Sequence, residues 1–150
     1  KNYRKFIIPA GGTRTPKSKS TCIPNIDTSG NIKTDENIQM DGMGIFAFVN
    51  SKIPKQIKSI LKKNNLHKED IDLFVFHQAS KLAIDSLTKI LKIDSKKVYT
   101  NIGKIGNTVS ASIPIALKDA INNKKIKDGD KVLCCGFGVG LSWGTCIIQF

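Results

Sequence analysis

An α/β fold, with helices layered on a mixed sheet, is what this 150-residue chain predicts. Three observations lead there. Strand-like and helix-like patterns alternate in the order strand, helix, strand, helix, strand, helix, strand, strand. The run Ile71-Asp72-Leu73-Phe74-Val75-Phe76 is almost wholly apolar, as a strand covered on both faces of a sheet is. Polar residues and glycines collect just after predicted strands, where sites form in sheets of this kind.

Taken in order, Phe6-Ile7-Ile8-Pro9-Ala10 reads as a short strand stopped by Pro9 and Gly11-Gly12. Residues 13–37 are polar, rich in Ser, Thr, Lys, Asn and Gly, and without period; they predict a long irregular loop, either covering a site or disordered. Met40-Asp41-Gly42-Met43-Gly44 leads into Ile45-Phe46-Ala47-Phe48-Val49, expected to be a strand. From Ser51 to Asn64, Ile53, Ile57, Ile60 and Leu61 share one helical face; Ser51 is the expected N-cap and Pro54 falls in the expected first turn. After the strand at 71–76, a helix is expected from about Ser80 to Lys92, with Ala83, Leu87, Ile90 and Leu91 inward. A strand-like Lys97-Val98-Tyr99-Thr100 enters the stretch 101–108, and a helical pattern leaves it from Val109 to Ile121, with Ile113, Leu117, Ala120 and Ile121 inward. Pro114 lies inside that pattern, so the helix is kinked or starts later. A turn at Lys127-Asp128-Gly129-Asp130 precedes a buried strand, Val132-Leu133-Cys134-Cys135. A glycine-rich loop and a last strand, Trp143 to Phe150, complete a hairpin.

The chain is long enough for one domain with its own core, and 40% of it is hydrophobic. No apolar run is long enough to cross a membrane, and no membrane partner is expected. The sequence does not open on Met and shows no signal-peptide pattern, so a cut-out domain or processed fragment of a cytoplasmic protein is expected. The net charge of +12 comes from 24 Lys and Arg against 12 Asp and Glu, and would draw in an acidic partner. The lysines are scattered, and aromatic residues do not interleave with them, so a nucleic-acid platform is not expected. Cys22, Cys134, Cys135 and Cys146 form no Cys-x-x-Cys pair and only two histidines exist, so no metal site is expected. Nothing beside any of the four marks it as a nucleophile.

Two residues could do chemistry. His77 follows the buried strand at 71–76 and is either a structural histidine or a hydrogen-bonding imidazole at a reacting carbonyl. Asn107 stands after Gly103 and Gly106, where a helix N-cap belongs. It either caps the helix or offers hydrogen bonds to a developing negative charge. The glycine-rich segment Gly136-Phe137-Gly138-Val139-Gly140 does not open a helix, which excludes a dinucleotide site. It reads as a tight hairpin, or as backbone N–H groups free to meet an oxyanion.

Three motifs taken together, His77-Gln78-Ala79, Gly106-Asn107-Thr108 with Ser110-Ala111-Ser112-Ile113-Pro114, and Gly136 through Gly144, resemble the C-terminal half of β-ketoacyl-acyl-carrier-protein synthase III, of the thiolase superfamily. The match is good over residues 40–150 and looser through Ile8-Pro9-Ala10-Gly11-Gly12. The resemblance implies a thiolase-like half-subunit whose other, N-terminal half carries a cysteine nucleophile. That cysteine takes an acyl group from acyl-CoA, and a malonyl-acyl carrier protein is then decarboxylated and condensed with it. It implies His77 and Asn107 as catalytic residues holding the malonyl thioester carbonyl. It implies Val139 as an oxyanion backbone N–H, and Met40, Gly42, Phe46 and Ser80 along the CoA or pantetheine path. No permanently bound cofactor is implied; the partners implied are acyl carrier protein, acyl-CoA, the N-terminal half and a second copy in a homodimer. The chain departs from the family pattern at Ser80, usually Asn, and at Leu82, usually a basic residue; Lys81 stands beside it. The nucleophilic cysteine has no counterpart among the four present, so this chain alone is expected to be inactive. Two alternatives stay open: acyl transfer to an oxygen or nitrogen nucleophile with His77 as general base, and a non-catalytic module for carrier-protein binding or dimerisation.

Overall fold

The structure is a computed structural model that describes residues 2–150. These residues form two compact units: the chain up to Ile45 with Val139–Leu141, and Phe46–Gly138 with Ser142–Phe150.

In the first unit, strand β1 (Phe6–Ile7) pairs antiparallel with β4 (Gln39–Met40), Phe6 opposite Met40. Between them the expected irregular loop contains a small hairpin, β2 (Asn25–Ile26) with β3 (Ile32–Lys33). Its tip is set by Asp27, whose carboxylate accepts from the backbone N–H of Ser29 and Asn31 and from Lys33 Nζ at 2.6 Å. Thr21 is buried nearby and donates to Glu36 at 2.8 Å. Polar side chains, not a hydrophobic period, hold this segment, which is why its order is invisible to pattern reading.

The expected strand at 45–49 is instead the start of a 22-residue helix, α1 (Gly42–Lys63). Asp41 caps it: its carboxylate accepts from Gly44 N at 2.7 Å and its carbonyl from Ile45 N at 2.9 Å. A short apolar run fits a strand or a buried helix equally well, and Gly42 and Gly44 disguise the helical start. The spacing decides: Val49, Ile53, Ile57 and Leu61 recur every fourth residue and all are buried. Ser51 is therefore interior, not a cap, its hydroxyl donating to Phe48 O at 3.2 Å, and Pro54 lies well inside the helix.

The second unit is built on a four-stranded mixed sheet in the order β6-β5-β7-β8. Here β5 is Leu73–Phe76, β6 Val98–Tyr99, β7 Lys131–Gly138 and β8 Ser142–Gln149. β6, β5 and β7 run parallel, and β8 returns antiparallel to β7. All four residues of β5 are buried, as expected of a central strand. Helix α2 (Lys81–Leu91) is capped by Ser80, which accepts from Ala83 N at 3.1 Å. Its buried face is Ala83, Ile84, Leu87 and Leu91; Ile90, expected inward, is 46% exposed. Ser86 of α2 donates to the Asn50 side chain of α1 at 2.9 Å.

The stretch 101–108 contains a one-turn helix, α3 (Ile102–Ile105), that the sequence pattern does not announce. The next helix, α4 (Ser112–Asn122), starts three residues later than the period suggested, leaving Pro114 in its first turn, where a missing N–H costs nothing. Ser112, Ala116 and Ala120 form its buried stripe, with Ile113 and Leu117 half-buried and Ile121 exposed rather than inward. Ala116 and Ala120 pack on Leu73, Val75, Val132 and Cys134, the residues of β5 and β7 that share one sheet face. Alanines let the helix backbone lie close to the sheet. The β7–β8 hairpin is longer and its turn tighter than expected: Gly136 and Gly138 belong to the strand, and only Val139–Leu141 turns, with Gly140 at φ 77°. No helix among the described residues is long and apolar enough to cross a membrane.

Candidate active site

β5 ends at Phe76, and the next residue extends the parallel pairing by one bond, His77 N donating to Cys135 O at 2.9 Å. That bond fixes the backbone from which the imidazole projects. The ring is half-buried, with Nδ1 2.6 Å from Ser112 Oγ. The Phe137 ring of β7 meets it edge-on, centroids 5.4 Å apart and planes at 82°. Burial lowers the His77 pKa below its ordinary value of 6.5, so the imidazole is neutral at neutral pH.

Gln78, which the sequence pattern leaves without a role, is fully buried and acts as a brace. Its Nε2 donates to Phe76 O at 2.8 Å and Tyr99 O at 3.4 Å; its Oε1 accepts from Thr100 Oγ1 and Asn101 N, both at 3.2 Å. One amide thus ties the end of β5 to the end of β6 and sets the start of the 101–108 stretch. Asn101 continues this network by donating to Asp119 Oδ2 at 3.2 Å, which also accepts from Tyr99 at 2.8 Å. These two hydrogen bonds, Tyr99 first, hold the Asp119 carboxyl below its ordinary pKa.

Thr108, not Asn107, holds the N-cap position of the short 3₁₀ turn, Val109–Ala111, that precedes α4; the exposed Asn107 stands one residue earlier and braces that turn. Its Oδ1 accepts from Val109 N at 2.9 Å, and its Nδ2 donates to Ala79 O at 3.3 Å. Gly106 turns the chain into this position at φ 69°, a left-handed conformation suited to glycine. The loop 77–79 and the segment 107–112 are therefore stitched together: Asn107 to Ala79, His77 to Ser112, and Gln78 N to Ser112 Oγ at 3.4 Å. An imidazole and a carboxamide, both able to donate and neither charged, stand on adjoining segments.

The other sequence-predicted residues fall as follows. Val139 opens the hairpin turn between β7 and β8. Met40 is 61% exposed on β4, and Gly42 opens α1 with open space where a Cβ would stand. Phe46 is half-buried on α1, and the Ser80 hydroxyl is engaged as the cap of α2. Leu82 is 68% exposed beside Lys81, which pairs with Asp85 at 2.6 Å. Cys134 and Cys135 are buried, and burial pushes their thiols up to about 12 and about 11. Ser112 stood inside a recognised motif, but its partnership with His77 joins positions 35 residues apart, a link no local pattern carries.

Residues 61–150 match the family model described as 3-oxoacyl-[acyl-carrier-protein (ACP)] synthase III C terminal. A β-ketoacyl-[acyl-carrier-protein] synthase III of Rhodopirellula baltica is 40% identical over 145 residues, covering 97% of this chain and 39% of that protein. The enzyme of that description from Clostridioides difficile is 42% identical over 143 residues, covering 95% of this chain and 41% of its own length. Among solved structures, a 3-oxoacyl-(acyl-carrier-protein) synthase III superposes with a TM-score of 0.96 at 36% identity, over 99% of this chain and 44% of that one. A Thermus thermophilus synthase III superposes at 0.78 and 29% identity, over 99% of this chain and 42% of that one. The chain thus spans well under half the length of the relatives it matches. Its fold is the thiolase-like half, α/β with a mixed sheet.

Proposed function

The chain belongs to the β-ketoacyl-acyl-carrier-protein synthase III family as its C-terminal domain, and from that premise we propose that it is the malonyl-handling half of a condensing enzyme. A cysteine outside this chain takes an acyl group from acyl-CoA. A malonyl thioester on acyl carrier protein then docks with its carbonyl oxygen between His77 and Asn107. Loss of CO₂ leaves the electron pair of the broken C–C bond on that thioester as an enolate, whose negative oxygen the two donors hold. The enolate carbon attacks the acyl-enzyme carbonyl, the cysteine leaves as thiolate, and a β-ketoacyl thioester remains. The backbone N–H of Val139 serves the tetrahedral oxyanion of this last step, and Met40, Gly42, Phe46 and Ser80 line the pantetheine approach. No permanently bound cofactor is required. The same reading carries a homodimer, a cytoplasmic location, and inactivity of this chain by itself. Cys134 and Cys135, thiols with pKa raised to about 12 and about 11, are unsuited to nucleophilic attack.

The observation that supports the reading is the stitched pair of segments carrying a neutral imidazole and a carboxamide. The test is made in the full-length protein. His77→Ala and Asn107→Ala should each lower condensation by on the order of 10²–10³, while the mass adduct formed with acetyl-CoA persists. Equal loss of both steps would count against these roles. An adduct that clears only with an alcohol or amine would replace condensation by simple acyl transfer.

A further inference from the structure

We propose that Ser112 is a positioning residue that donates its hydroxyl proton to His77 Nδ1 and thereby fixes the imidazole as the Nε2–H tautomer. The inference rests on the functional reading above and narrows it, because the tautomer decides what His77 can do.

A serine hydroxyl has one proton and two lone pairs. Ser112 is fully buried, and its Oγ has two hydrogen-bond partners among the described residues: His77 Nδ1 at 2.6 Å and Gln78 N at 3.4 Å. The Gln78 backbone N–H can only donate, so it takes a lone pair. If Nδ1–H also donated, both lone pairs would be used and the hydroxyl proton would be left in a buried place with no acceptor. Such an orphan is costly, whereas donation from Oγ to a bare Nδ1 leaves all three groups satisfied. The proton of a neutral imidazole then sits on Nε2, on the far edge of the ring from Ser112. The ring cannot easily turn to escape this assignment. Its backbone is held by Cys135 O at 2.9 Å, and Phe137 stands edge-on against it.

The chemical consequence is selective. An imidazole with Nε2–H donates outward, to a thioester oxygen that becomes an enolate, but it has no lone pair on Nε2 to take a proton from an alcohol or amine. The site is thereby set for a malonyl-type thioester and against an oxygen or nitrogen acceptor.

The test uses the full-length protein labelled with ¹⁵N-histidine, with the His77→Ala variant assigning the resonances. The expected result is a proton-bearing, pyrrole-type Nε2 and a pyridine-type Nδ1. In Ser112→Ala, matched closely in volume, the two tautomers should mix and condensation kcat should fall about tenfold or more. KM for the malonyl thioester and the rate of self-acylation should stay near wild type, and Ser112→Thr, which keeps the hydroxyl, should recover most of the rate. An Nδ1–H tautomer in the wild type, or an unchanged tautomer and rate in Ser112→Ala, overturns the proposal. If Ser112→Ala does not fold, the wild-type spectrum alone decides. Retained condensation in His77→Ala would remove the functional reading instead, and the wild-type tautomer would still decide whether Ser112 sets the ring.

Discussion

The imidazole of His77 is kept neutral by what surrounds it, and this gives a pH dependence of definite sign. Burial lowers its pKa from 6.5, so the neutral form that donates without charge persists as pH falls through the ordinary histidine range. Any fall in condensation that follows protonation of His77 should therefore have its midpoint below 6.5. The unfolded chain takes up the proton first, so stability begins to erode near 6.5 as pH falls. A kcat profile that halves near or above 6.5 would show that the site does not protect the ring. Predicted strand ends and glycines make His77 and Asn107 candidates in the sequence, and it is the three motifs taken together that imply a role for them. Ser112 and Gln78 were not legible in this way, although both lie within the same motifs. Their parts depend on partners such as His77 for Ser112, and Tyr99 to Asn101 for Gln78, which meet only when separate strands and helices have come together.

At the scale of elements, buried β5 and helix α2 could be drawn from apolar pattern alone. α1 could not, because its first turn holds two glycines and an apolar run that a strand would share. The signal that would have placed its start was Asp41, three residues before Gly44, whose amide it accepts. For α4, proline chemistry gave the right alternative, a later start, but the period put Ile121 inward, whereas the buried stripe is Ser112, Ala116 and Ala120. That small-residue stripe makes a prediction. Ala116 is fully buried against the sheet, so Ala116→Leu should destabilise the protein by about 1–3 kcal/mol through overpacking. Since α4 begins at Ser112, the same change should also disturb condensation more than an equally destabilising change far from α4. Urea unfolding beside a condensation assay separates the two effects.

For the molecule as a whole, the cysteines report on cooperative opening. Cys22 is exposed, whereas Cys134 and Cys135 are buried thiols raised to about 12 and about 11. With a thiol reagent at about pH 8, Cys22 should label at once and Cys134 and Cys135 only as fast as β7 leaves the sheet. Peptide mass mapping over time reads this directly, and rapid labelling of Cys135 would mean that the hairpin opens on its own. The order of the sheet also bears on how the protein comes into being. β5 is made before its neighbour β7, and β7 supplies both the carbonyl that accepts from His77 N and the ring that stands against the imidazole. A nascent chain that has emerged only as far as Asn123 already carries His77, Asn107 and Ser112, yet lacks the Cys135 carbonyl and the Phe137 ring that hold the histidine from β7. The placing of His77 is therefore completed only once β7 has been made and has paired with β5.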